Sequence, residues 1–201
     1  MRLAIAALGM GVLAGLASAQ DRPNRLTAVE ASEGWILLFD GKSLDGWEPH
    51  AGGDFKVEDG AISCPGTTAG WISTSRSFSD YALKLEFRGA AKVNSGVFLR
   101  SAKEGQPHVT GYELQIWDYQ PAGYNTGSLV GSAKASATKV LGDQWNRFEI
   151  TAVRDHFVIT LNGERILDTH DSKHSAGVIG FQCQKDNRIE FRSIKVRPVG
   201  K

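Results

Sequence analysis

Glu113, Gln115 and Trp117 fall on alternate positions of Tyr112-Glu-Leu-Gln-Ile-Trp-Asp118, and Asn94, Gly96, Phe98 and Arg100 do the same in Asn94-Ser-Gly-Val-Phe-Leu-Arg100. Successive side chains of a strand point to opposite faces. If Val97, Leu99, Leu114 and Ile116 face a core, the first set shares the opposite face. Glu86, in Tyr81-Ala-Leu-Lys-Leu-Glu-Phe-Arg88, and Gln182, in Val178-Ile-Gly-Phe-Gln-Cys183, have the same outward sense. One sheet surface would then collect an Arg, two Glu, two Gln, an Asn and an exposed Trp. Multidentate polar groups beside an aromatic ring suit a sugar, which offers hydroxyls and an apolar ring face. The plainer alternative is a solvated face with Arg–Glu cross-strand pairs, and local turn chemistry for Asn94 and Gly96. Trp117 and Phe98 fit that alternative poorly.

Other chemistries find less support. A two-carboxylate glycosidase needs carboxyls roughly 5 to 9.5 Å apart across the scissile bond. Glu113 and Asp118 are the obvious pair, but an odd separation sends them to opposite faces of a regular strand. A bulge near Trp117 would reverse that; without one, Glu113 would pair with Glu86. Of the five histidines, His170 and His174 have metal-ligand spacing only on a helix, and Asp168 to Ser175 has loop composition. His156 opens a strand. His108 lies in the loop between the two central strands and is a candidate acid or base. No HExxH and no G-x-S-x-G occurs. Cys64 and Cys183 lack CxxC spacing, so they give no zinc signal. They form either a disulfide or two separate buried thiols.

The elements that would position these groups are strands. Trp35–Phe39, Phe55–Val57, Ala61–Cys64, Gly70–Ser73, Tyr81–Arg88, Val97–Arg100, Tyr112–Trp117, Arg147–Val153, His156–Leu161, Arg165–Leu167, Gly177–Cys183 and Arg188–Val196 are short apolar or alternating runs. Asp59-Gly60 and Asn162-Gly163 are hairpin turns by composition. No stretch sustains a helical period. This predicts an all-β chain folded as a two-sheet antiparallel jelly-roll sandwich.

The chain has 201 residues, with 23 Lys+Arg against 22 Asp+Glu. That is one sizeable domain. A formal charge of +1 lacks the basic excess of a nucleic-acid binder. Arg2, an apolar run from Leu3 to Ala17 and Ala17-Ser18-Ala19 form a secretory signal peptide over 1–19, short for a membrane span. Residues 20–33 are polar and aperiodic, a predicted tether, and the domain follows over 34–198. With Arg2 removed the charges are 22 and 22. The expectation is a secreted or periplasmic protein with no membrane span after cleavage.

Leu38-Phe-Asp-Gly-Lys-Ser-Leu-Asp-Gly-Trp47, Phe55-Lys-Val-Glu-Asp-Gly-Ala-Ile62, the two central strand motifs, Thr126-Gly-Ser-Leu-Val-Gly131, Gln144-Trp-Asn146, Leu161-Asn-Gly-Glu164, Ile179-Gly-Phe-Gln182 and Ile189-Glu-Phe-Arg-Ser-Ile194 together resemble the 3-keto-disaccharide hydrolase family. The ordered set spans about residues 34 to 197. The resemblance implies a concanavalin A-like sandwich and a glycoside or oligosaccharide substrate whose ring carries a ketone at C3. That ketone acidifies the C2 hydrogen, so a base can remove it and the C1 substituent can leave. On this resemblance Glu113 is the base or an orienting carboxylate, and Arg100 stabilises the enolate or orients the ketone. Asn94, Gln115 and Gln182 bind hydroxyls, Trp117 stacks on a ring, and Glu86 adds to the binding face. Asp118 matches the last acidic position of the family motif and is a second candidate base if the strand bulges. No cofactor is required; if a divalent metal is used, Glu113 and Asp118 are the expected ligands. The family's Gln-x-His-Gly stretch is Gln182-Cys-Gln-Lys185 here, which leaves a change of specificity open. A carbohydrate-binding module and a glycosidase acting on unoxidised glycans are the rival classes.

Overall fold

The structure, a computed structural model, describes residues 22–136 and 142–200. The expected signal peptide lies outside the described residues. The elements in order are α1 (Ala28–Ser32), β1 (Ile36–Leu37), β2 (Trp47–His50), β3 (Lys56–Glu58), β4 (Ala61–Cys64), β5 (Gly70–Phe78), β6 (Tyr81–Gly89) and β7 (Ser95–Ser101), then α2 (Pro107–Thr110), β8 (Tyr112–Ile116), β9 (Asn146–Val153), β10 (His156–Leu161), β11 (Glu164–His170), β12 (Gly177–Cys183) and β13 (Ile189–Pro198).

Period 2 in the sequence becomes two antiparallel sheets. The larger runs β11-β10-β9-β6-β13-β4-β3, with β1 paired to β13; the smaller runs β2-β5-β12-β7-β8. In β6 the alternation is complete: Tyr81, Leu83, Leu85 and Phe87 are buried and the residues between them half-buried. Phe181 of the small sheet stacks on Phe191 of the large one at 4.1 Å, so the core lies between the sheets. The predicted hairpins have the left-handed pairs that a type I′ turn needs: Asp59 and Gly60 at φ 49° and 73°, Asn162 and Gly163 at 50° and 85°.

Cys64 and Cys183 are joined, Cα to Cα 5.8 Å, across 119 residues. The bond ties β4 of the large sheet to β12 of the small one, which settles the open alternatives in favour of the disulfide.

The described part of the predicted tether is docked on the fold. Thr27 and Glu30 make a reciprocal capping box that starts α1. Asn24 donates to the Gly60 carbonyl at 2.7 Å and accepts the Ser193 N–H at 2.9 Å. Glu30 meets Lys195 of β13 at 2.8 Å, and both are buried.

Candidate functional site on the small sheet

The register of the five strands defines two outward rows. One crosses His50, Trp71, Gln182, Gly96 and Gln115; the other crosses Glu48, Ser73, Gly180, Phe98 and Glu113. The row between them, with Ile72, Phe181, Val97 and Leu114, belongs to the core. The outward aromatics Trp71 and Phe98 form a separate apolar cluster with Val178.

Two glycines give this face its relief. A Cβ on Gly96 would stand 2.9 Å from Glu113 Oε1, and a Cβ on Gly180 would stand 2.9 Å from the Trp71 ring. Glu113 therefore lies over Gly96 and Trp71 over Gly180, toward each other across β7 and β12. Phe98 stands between, edge-on to Trp71 at 5.7 Å between centroids. His50 stacks on the other side of Trp71 at 4.2 Å, and its Nε2 is 2.9 Å from Ser73 Oγ.

Glu113 is the distinctive group. It is 9% exposed, and burial alone pushes its carboxyl up to about 7. No cation holds it down, and no second carboxylate contributes to the rise. A base that titrates near neutrality is suited to proton abstraction. Gln182 Oε1 is buried without a hydrogen-bond partner among the described residues, as is Thr126 Oγ1. A buried acceptor left open favours a donor from a ligand or water.

The expected site residues divide. Glu113, Gln115 and Gln182 meet on this face, and Asn94 leads into β7 in the same sense, held through its backbone N–H by Asn187 Oδ1 at 2.8 Å. Trp117 and Asp118 follow the end of β8, half-buried and buried. The pairing of β7 and β8 runs from Leu99↔Tyr112 to Ser95↔Ile116 without a shift. No bulge within β8 turns Asp118 onto the Glu113 face.

Two expectations are corrected. Arg100 does not join Glu113, because β7 carries one extra residue against β12 between Phe98 and Ser101. Arg100 takes a left-handed φ of 55° there, and the bulge re-aims its side chain. The guanidinium is fully buried. It donates to the carbonyls of Ser79 at 2.8 Å, Arg154 at 2.6 Å and His174 at 3.2 Å, pairs with Asp80 at 3.2 Å, and lies over the Phe157 ring. It pins three loops at one end of the sandwich. Glu86 belongs to the large sheet, whose outer face is on the other side of the molecule, and is bound by Arg192 at 2.6 Å.

Sequence reasoning missed Trp71 and His50. The signal for Trp71 was present: with Ile72 inward, Trp71 must face outward, by the same period that singled out Trp117. The strand bearing His50 was hidden by Pro49, which a strand tolerates at a sheet edge, where β2 lies.

The other histidines stand elsewhere. His108 is exposed on α2. His156 and His170 stack at 4.5 Å and bind Asp168 and Asp155, while His174 packs edge-on to Tyr112. Among the described residues, the one set of three His, Cys, Asp or Glu side chains close enough to share a metal is Asp54, Cys64 and Cys183, and its two sulfurs are bonded to each other. Glu113 and Asp118 are not brought into such a set.

The model of the 3-keto-α-glucoside-1,2-lyase-like domain matches residues 34–197. The chain belongs to this family. Among solved structures, a candidate glycosyl hydrolase from Parabacteroides distasonis is similar at TM-score 0.78 and 23% identity, over 89% of this chain and 100% of that one. A second from the same organism gives 0.70 and 22%, over 82% and 99%. A carbohydrate-binding module from Bacillus subtilis gives 0.60 and 19%, over 75% and 94%. At these identities the likeness is one of fold, the concanavalin A-like sandwich expected from the sequence. No curated protein matches the chain. The lyase-like family and the company of carbohydrate-active folds support a carbohydrate-active role.

Proposed function

We propose that the protein cleaves 3-keto glycosides by elimination, with Glu113 as the base. The carrying observation is the Glu113 carboxyl, buried, without an ion pair among the described residues and titrating at about 7. The C2–H proton passes to the Glu113 carboxylate. Its electron pair enters the C2–C3 enolate, with charge on the former ketone oxygen, and then returns to form the C1–C2 double bond and restore the ketone as the C1–O bond breaks; the departing oxygen takes the pair from that bond and a proton. Addition of water across the new double bond would complete a net hydrolysis. Gln115 and Gln182 supply amide groups for the ketone and neighbouring hydroxyls, while Trp71, Phe98 and Trp117 supply apolar surface. Charge on the developing enolate is met by neutral donors, since Arg100 is committed to the loops. No step passes through a metal.

A binding module is the second reading, favoured by the fold shared with the Bacillus subtilis carbohydrate-binding module. One glucoside and its 3-keto analogue, assayed side by side, separate the classes. Elimination predicts turnover of the keto compound alone, lost in Glu113→Gln. Turnover of the unoxidised glucoside would point to an ordinary glycosidase. Binding without turnover of either compound would leave the module.

A further inference from the structure

The outer face of the large sheet carries a second constellation, remote from Glu113. Residues Arg22, Lys84, Glu86, Arg147, Ser193 and Lys195 line one small cavity. Its volume is about 20 Å³, room for one small polar group and not for a ring. Four cationic residues and one acidic one line it; the Lys84 ammonium lies over the Trp35 ring at 4.4 Å, and the acid is already occupied, since Glu86 accepts from Arg192 at 2.6 Å and from Ser193 Oγ at 3.3 Å.

The surrounding acids do not balance the cations. Lys84 and Lys195 share the single carboxylate of Glu30, at 3.8 and 2.8 Å. Arg147 meets Glu149 on its own strand at 3.0 Å. Arg22 has no ion pair among the described residues. It is carried to the cavity by Asn24, whose bonds to Gly60 and Ser193 fix the chain two residues later. Ser193 sits at φ 54° in a bulge of β13, and this irregularity places its hydroxyl on the wall. Among the described residues, Arg22, Lys84, Arg147, Arg192 and Lys195 thus answer to Glu30, Glu86 and Glu149, an excess of two positive charges in and around one small cavity.

We infer that this cavity binds an oxyanion, the carboxylate group of an acidic glycan, held by the Arg22 and Arg147 guanidiniums with Lys84 beside them. Guanidinium forks are the donors best matched to planar or tetrahedral oxyanions. The glycan origin rests on the carbohydrate-active reading; the excess of cations does not. The site lies on the opposite sheet from Glu113, so it would tether a charged chain without touching the reacting bond.

The test is an NMR titration of the ¹⁵N-labelled protein with tri-galacturonate, sodium sulfate and neutral maltotriose at constant ionic strength. Saturable shifts of the Leu85, Glu86 and Ser193 amides with tri-galacturonate, none with maltotriose, are expected. Arg22→Gln and Arg147→Gln should each weaken binding about tenfold, with thermal midpoints near the parent's because both side chains are at the surface. Saturation by sulfate without tri-galacturonate would overturn the glycan assignment. Shifts that never saturate, or that survive in the Arg22→Gln/Arg147→Gln double variant, would overturn the site. Glu113→Gln should leave these shifts intact, so loss of turnover and loss of anion binding are separate failures.

Discussion

Glu113 is least stable in the form its proposed chemistry needs. Its folded-state carboxyl titrates at about 7 against an ordinary 4.5, so the folded chain holds this proton more tightly than the unfolded chain. The resulting stabilisation is present in full below about pH 4.5 and is lost as pH rises through about 7; at pH 8 the buried carboxylate costs roughly 3 kcal/mol. Glu113→Gln removes the titration. The variant should unfold at higher denaturant than the parent at pH 8, with the gap closing toward pH 5. Its turnover of a 3-keto glucoside should fall by about 10²-fold or more. In the parent, kcat/KM should rise tenfold per pH unit below about 7 and level above it. A midpoint near 4.5, or a Gln variant of parental activity, would remove Glu113 from the role. Arg100 makes the opposite prediction. Arg100→Met leaves three loop carbonyls without their donor and Asp80 with the Arg154 N–H alone, a loss of about 3–5 kcal/mol. The fraction that remains folded should keep its kcat, measured against active protein by titration of the unfolded fraction.

At the scale of the strand, what was legible was the period and what was hidden was its interruption. Tyr81 to Gly89 keeps perfect alternation, and Glu113, Gln115 and Gln182 fall where two-residue counting puts them. The same counting fails for Arg100 because one extra residue enters β7 at a non-glycine position. The bonds that fix it come from turns 20 to 74 residues away, and nothing local announces them. Glu86 failed for another reason: outward sense is a property of one strand, and only topology says which sheet that strand joins. The two glycines under the site give a paired test. At Gly96 an added methyl meets the flexible end of Glu113, so the carboxylate gives way. Gly96→Ala should cut kcat/KM by tenfold or more while stability changes by less than about 1 kcal/mol. At Gly180 it meets the Ile72 carbonyl at 2.8 Å as well as the Trp71 ring, and backbone cannot yield so cheaply. Gly180→Ala should cost about 1–3 kcal/mol in urea unfolding. Equal stabilities for the two variants would contradict the packing described.

The whole molecule is a sandwich with unlike outer faces, and its N-terminal segment belongs to the large-sheet side. The small sheet offers an apolar floor and Glu113, a buried acid without an ion pair among the described residues. The large sheet offers ion pairs, with Trp145 between Arg88 and Arg192 at 4.6 and 3.9 Å. Composition and near-zero net charge say nothing of this division, because the sum over a chain erases where its charges lie. Residues 22–33, polar and aperiodic in sequence, close the large-sheet face by placing Glu30 on Lys195, whose side chain is 8% exposed. If the segment were only a tether, a chain beginning at residue 34 would be as stable as the parent. If α1 is part of the fold, that truncation strands a buried ammonium and should cost about 3 kcal/mol or more. Lys195→Met separates the two terms, since it removes the stranded charge but not the lost Asn24 hydrogen bonds. In the truncated chain Lys195→Met should therefore restore part of the urea midpoint, while in the full chain it should leave Glu30 with only Lys84 at 3.8 Å and the Thr27 N–H, and lower it. That reversal of sign depends on the Glu30–Lys195 pair, and a general loss of contacts at the N-terminus would not produce it.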